Sequence, residues 1–298
     1  MSRLTKAWRN SRFYRRLVAK RLPRALVIGA QKAGTTALFK YLAQHPRLAP
    51  SLEKEVDFFG SDSRFAQGLH WYAAQWDRQT PAKTLRIEAS PHYLFAPQAP
   101  ARIRRCLPNV KLIAIVRGPV ERAYSAWHMY RRQLCDDPAF YDTWNRRCYR
   151  AEEIAAFVPR TAYELDDFEL AVRREAACLA DGRAMSWRLL EYGLYGPQLR
   201  RYLDHFPRQQ LLMLDSRDLK LERAKTLNRV LAFLGLEPWD WSQADLSDVW
   251  VSQPPPPMPP RARDFLREFY TPSNRWLQEL LDPLPAWARA SPHDSAAA

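Results

Sequence analysis

The octet at residues 29–36, GAQKAGTT, sets two glycines with four residues between them and follows them with two hydroxyl side chains. This is the glycine spacing of a phosphate-binding loop, in which successive backbone amides turn inward around an anion and the next helix adds its positive end. Gly34 lets the backbone approach such a ligand closely, and Thr35 and Thr36 add hydroxyl donors to a cradle that runs through Gln31, Lys32 and Ala33. In nucleoside triphosphatases a lysine follows the second glycine and reaches the outer phosphates. Here Thr35 occupies that place and the lysine, Lys32, stands in mid-loop. The displacement suits a shorter phosphate chain with no third phosphoryl group to clamp.

A second anchor is expected in IAIVRGPVERAYSAW. A strand ending at Arg117 and a helix carrying Ser125 about two turns in would turn both side chains toward a ligand over the carboxyl edge of a sheet. An arginine fork with a hydroxyl suits a phosphate monoester. Between these anchors, LEKEVDFFG offers the carboxylates Glu53, Glu55 and Asp57. Group transfer to a hydroxyl needs a base near the attacking oxygen, and each of the three is equally readable as a solvated acid on a turn. His92, in EASPHYLF, is a lone histidine after a strand, a position more often structural than catalytic.

The elements that must position these residues follow from the apolar pattern. ALVIG from Ala25 reads as a buried strand, AQKAGTT as a loop, and ALFKYLAQH as a helix stopped near Pro46. TLRIEAS is a second strand ending at Pro91, and VKLIAIV a third that leads into a helix over residues 119–132. Short apolar runs alternating with helices predict an α/β fold: a P-loop-like parallel sheet flanked by helices. Residues 134–184 are rich in charge and aromatics without a clear strand, which predicts a helical or loop lid inserted into a single domain spanning residues 24–285. Downstream, GPQLRRYLDHFP reads as a helix, QQLLMLD as a strand, and LERAKTLNRVLAFLG as a helix closed by Gly235. QPPPPMPP must be extended, the helix after it is expected to be interrupted at Pro272, and residues 286–298 read as a disordered tail.

The stretch AQKAGTTALFKYLAQHP closely resembles the 5′ phosphosulfate loop of the carbohydrate sulfotransferases, especially the heparan-sulfate type and its bacterial relatives. The resemblance runs from about residue 24 to 132, and more weakly through LLMLDSRDL and the last helix. It implies 3′-phosphoadenosine 5′-phosphosulfate (PAPS) as donor, 3′-phosphoadenosine 5′-phosphate (PAP) as product, and no metal. It implies Lys32 against the sulfonate and bridging oxygen, and Gly34, Thr35 and Thr36 on the 5′ phosphate. Arg117 and Ser125 match the family's 3′ phosphate motif, and Glu55 aligns with the glutamate that serves as base. The sequence departs from the pattern at several places: Gly118 stands where many members have aspartate, Asp57 where histidine is common, and Ala89 where several animal members have lysine. His92 is then a stand-in for the missing helper. VSQPPPPMPP lacks the glycine and lysine of the late loop that closes on the nucleotide, which leaves Arg261 and Arg263 as substitutes.

Composition bounds the rest. With 298 residues and 47% apolar positions the chain can bury a sizeable core, and a net charge of +14 predicts anionic ligands without naming one. The competing enzyme class is a P-loop kinase with Asp215 in a Walker B role, against which the displaced lysine argues. A nucleic-acid-binding protein is more distant: eleven tryptophans could stack on bases, but no specific nucleic-acid motif appears and the basic residues are spread along the chain. No apolar run has the length of a membrane span and no signal-peptide pattern stands at the N-terminus, so a cytoplasmic protein is expected. The basic, aromatic-laced segment 1–23 suits peripheral contact with an anionic membrane. Arg131, Arg132, Trp144, Arg146 and Arg147 suit a saccharide or glycolipid acceptor, by stacking on sugar rings and pairing with acidic groups. Cys135 and Cys148 lie where a disulfide is geometrically open to them, and spacing does not settle it.

Overall fold

The computed structural model describes residues 21–81, 83–249, 255–280 and 286–288. The expectations for residues 1–20 of the basic N-terminal segment and for 289–298 of the tail fall outside these residues, whereas residues 286–288, expected to be disordered, form a short 3-10 helix that sets the Trp287 ring against Tyr195. Five parallel strands, β1 (Ala25–Gly29), β2 (Leu48–Pro50), β3 (Leu85–Ala89), β4 (Lys111–Val116) and β5 (Leu211–Asp215), form one sheet in the order β2-β3-β1-β4-β5. Ala25 stands opposite Ile87 on one side and Lys111 on the other, and the ladder to β4 shifts register between Val27 and Gly29, just before the loop. The four strands read from sequence are β3, β1 and β4 in the middle of the sheet and β5 at one edge. The edge strand β2 was not legible: its three residues, Leu-Ala-Pro, carry no alternation to read.

Both faces of the sheet are covered, which is why its strands read as unbroken apolar runs. Ala25, Val27, Ile113 and Ile115 face α1 (Thr35–Leu42) and, farther along the chain, α13 (Arg223–Leu234). Leu26, Ile28, Leu112 and Ala114 face the other way, toward short helices on the opposite side. In chain order these helices are α2 (Asp62–Phe65), α3 (Gly68–Ala73), α4 (His92–Phe95) and α5 (Ala99–Cys106). The helix after β4, α6 (Pro119–Asp136), outruns its expected end by four residues, and Leu134 in that extra turn packs against the cluster built on Trp127 and Tyr130.

Residues 134–184 contain α7 (Phe140–Cys148), α8 (Ala151–Ala155), α9 (Ala162–Asp166) and α10 (Phe168–Ala180). The insertion is therefore helical and has a core of its own with α6 and the last helix, built on Trp127, Phe168, Val172 and Leu266. The remaining helices are α11 (Tyr195–Leu203), α12 (Ser216–Leu221) and α14 (Pro260–Leu280). The expected interruption at Pro272 does not occur, and α14 runs through it. Proline there removes one amide donor, and the neighbouring Thr271 hydroxyl bonds the Arg267 carbonyl at 2.9 Å, which keeps that turn closed. All four cysteines are free thiols, with Cys135 exposed and Cys148 buried. No helix among the described residues is long and apolar enough to cross a membrane.

Candidate active site

The loop between β1 and α1 opens at the carboxyl edge of the sheet, where the strand order places β1 between β3 and β4. Gly34 caps α1 with φ 96°, a left-handed conformation that glycine takes at no steric cost. Lys32 has φ 66°, and across the cleft Glu55 has φ 65°, with Asp57 buried behind it at φ 50°. Left-handed backbone at a non-glycine residue persists only where the surroundings fix it, and here it occurs on both sides of one opening. The segment carrying Glu55 is fixed by β3: the Ser51 amide donates to the Ile87 carbonyl at 3.0 Å and the Glu55 amide to the Ala89 carbonyl at 2.9 Å. Lys54 forms an ion pair with the Glu55 carboxylate.

These residues meet in one cleft of about 1280 Å³. Gln31, Lys32, Ala33, Gly34, Thr35 and Thr36 form one wall. Glu55, His92, Arg117 and Ser125 line the same space, brought there from three other segments. Burial, helped by the positive charges of Arg132, Arg117 and Arg122, lowers the Lys32 ammonium from its ordinary 10.5 to about 8. Surroundings that depress a lysine this way, by burial and by like charge, favour an anion beside it. The Tyr130 hydroxyl on α6 donates to Gln31 Oε1 at 3.2 Å, which ties the loop to the helix that bears Ser125.

Gly118, unusual for the resemblance, has a local cause. An added Cβ there would lie 2.3 Å from the Glu121 carboxylate, so that acid, in the first turn of α6, fills the space a side chain would need. Asp215 also lines the cleft, but its carboxylate accepts the Arg217 amide at 2.8 Å and caps α12. That role is structural, and burial pushes its pKa up rather than holding a charge ready for a metal.

Arg261 and Arg263 do not reach the cleft: both are exposed on α14. The basic residues that line its end instead are Arg217, Lys220 and Arg223. Sequence reasoning passed over them because they follow β5 on short helices with no motif, although the run SRDLKLER carries five charged residues around Leu219 and Leu221. Of the residues assigned to an acceptor, Arg132 and Trp144 line the cleft. Arg131 pairs with Asp166 and stacks 4.7 Å from the Trp127 ring, and Arg146 is exposed away from the opening. Trp187 and Arg188, from beyond the insertion, complete that wall.

The sulfotransferase domain family matches residues 22–249. A human bifunctional heparan sulfate N-deacetylase/N-sulfotransferase 3 is 31% identical over 90% of this chain and 31% of its own length. A human heparan sulfate glucosamine 3-O-sulfotransferase 3B1 is 32% identical over 76% of this chain and 50% of its own length. The chain thus spans about a third to a half of the curated relatives it matches. Among solved structures, a sulfotransferase from Alicyclobacillus acidocaldarius has the same fold, with a TM-score of 0.64 at 24% identity over 90% of this chain and 99% of that one.

Proposed function

Because the chain belongs to the sulfotransferase family, we propose that it moves a sulfonate group from PAPS to a hydroxyl or amine of a saccharide or glycolipid. The observation that carries this reading is the convergence of Lys32, Arg117 with Ser125, and Glu55 on one cleft from separate segments. The amides and hydroxyls of the loop hold the 5′ phosphate at the start of α1, and Arg117 with Ser125 holds the 3′ phosphate. This fixes the donor's register along the sheet edge. Glu55 takes the proton of the acceptor hydroxyl as its oxygen bonds to sulfur. The bond from sulfur to the bridging oxygen breaks on the opposite side, and the Lys32 ammonium stabilises the charge that the departing PAP acquires.

The heparan sulfate relatives support a glycan acceptor, and the wall of Arg132, Trp144 and Trp187 offers it a cation and two stacking faces. In this reading the protein acts in the cytoplasm, at times on the inner membrane face through its basic N-terminal segment. Incubation of the full chain with sulfur-labelled PAPS and a panel of glycans, glycolipids and small alcohols tests the proposal. Label is expected on a saccharide-bearing acceptor. Label that stays on the nucleotide with every acceptor, in a protein that also fails to bind PAP, would refute it.

A further inference from the structure

Asp57, His92 and Cys148 are all buried, and they come from three places: the loop after β2, the start of α4 and the end of α7. One ligand-capable atom from each lies within 4.8 Å of the other two. Cys148 Sγ is 3.5 Å from Asp57 Oδ2. His92 Nδ1 shares a hydrogen bond of 2.8 Å with the Tyr192 hydroxyl, which makes Nε2 the nitrogen that would face a ligand. Backbone also makes room here: a Cβ on Gly60 would stand 2.4 Å from Asp57 Oδ1 and 2.7 Å from His92 Cδ2, so glycine at 60 is what lets these two groups converge.

We propose that Asp57, His92 and Cys148 bind a zinc-class divalent cation that fastens the helical insertion to the sheet. The donor set decides the class. Thiolate and imidazole together favour zinc over magnesium or calcium, which take oxygen ligands. The spacing fits as well: with Zn–S at about 2.3 Å and Zn–O at about 2.0 Å, the edge of a tetrahedron joining sulfur to oxygen is about 3.5 Å. That is the Cys148 to Asp57 separation already present. A second cavity of about 310 Å³ is lined by His92 and Cys148 and gives an ion a route in and a fourth ligand room beside them.

The surroundings resemble those that orient metal ligands. The Tyr192 hydroxyl can accept the Nδ1 proton and so present Nε2, and the Ser90 hydroxyl accepts the Asp57 amide at 2.9 Å. Binding would release the Cys148 thiol proton to solvent and leave a thiolate on the metal. Of the three ligands only His92 also lines the large cleft, while Asp57 and Cys148 lie behind it, so the ion is a fastener and takes no part in sulfonate transfer. Its effect on the site is indirect. Cys148 ends α7, the helix whose Trp144 faces the cleft, and a bond there would stiffen the acceptor wall.

The test is a titration of the chelator-treated full chain with cobalt(II) chloride, followed by zinc chloride. One equivalent of cobalt is expected, with a thiolate-to-cobalt absorption band that zinc abolishes. Cys148→Ser should remove the band and weaken binding at least tenfold, His92→Gln should weaken it to a similar degree, and Cys135→Ser should change neither. Zinc K-edge absorption on the unmodified protein gives a reading that needs no variant, and one sulfur with three nitrogen or oxygen neighbours is expected. A folded wild-type chain with no thiolate band, a band that survives Cys148→Ser, or a zinc environment with no sulfur would overturn the proposal and leave the cluster as a hydrogen-bonded triad.

Discussion

The Tyr195 hydroxyl, at the start of α11, donates a 3.0 Å hydrogen bond to the Arg117 carbonyl. The residue assigned to the 3′ phosphate is therefore held from behind by a helix on the far side of the sheet, and burial of this tyrosine pushes its pKa up to about 12 so that it stays a donor. Tyr195→Phe should remove the bond and leave a buried carbonyl short of a partner, a cost of about 1 kcal/mol. PAP affinity measured by calorimetry should fall about fivefold with it. An unchanged affinity would mean that Arg117 is positioned by β4 alone.

Lys32 sets a pH dependence whose sign can be worked out. Its pKa is depressed from 10.5 to about 8, so without a bound anion the ammonium is disfavoured, and this cost to stability is present below pH 8 and fades as pH approaches 10.5. A bound anionic nucleotide favours the ammonium and raises that pKa. PAP binding should then take up protons at pH 8.5 to 9, and affinity should fall as pH rises through about 8. Calorimetry in buffers of different ionisation enthalpy measures the uptake directly. Lys32→Met should abolish it, and proton release from the wild type would contradict the assignment.

The strand, loop and helix that carry Lys32, Gly34, Thr35 and Thr36 were legible in the sequence, because local spacing carries them. A glycine at the end of a five-residue apolar run, a lysine and two threonines define a strand, a loop and a helix without reference to the rest of the chain. Arg117 and Ser125 were readable for the same reason, one strand and one helix apart. What failed was non-local. Arg217, Lys220 and Arg223 reach the cleft only because β5 lies beside β4, whereas Arg261 and Arg263, nearer the expected place in sequence, sit on the outer face of α14. Nor does any spacing bring Cys148 to Asp57, ninety-one residues apart.

The insertion depends on charges buried within it. Arg160 pairs with Glu164 at 2.8 Å and with Glu175, and all three side chains are at most 1% exposed. The Glu175 carboxylate also accepts the amides of Leu189 and Leu190 at 2.8 and 2.7 Å, which joins α10 to the segment that carries Trp187. Glu175→Ala leaves the Leu189 and Leu190 amides without their acceptor and Arg160 with Glu164 as its remaining carboxylate partner, and should cost about 3 kcal/mol in urea unfolding. A loss under about 1 kcal/mol would show that water replaces the carboxylate there.

The most direct measurement is the rate of sulfonate transfer by Glu55→Gln beside its affinity for PAP. Glu55 is half-exposed at the cleft, on a segment held to β3, so the amide should leave the fold and the nucleotide site in place. Expected is PAP binding within about twofold of wild type and transfer slowed by about 10²-fold or more, the usual contribution of a positioned base. Transfer at the wild-type rate, with binding intact, would contradict the assignment of Glu55 as base.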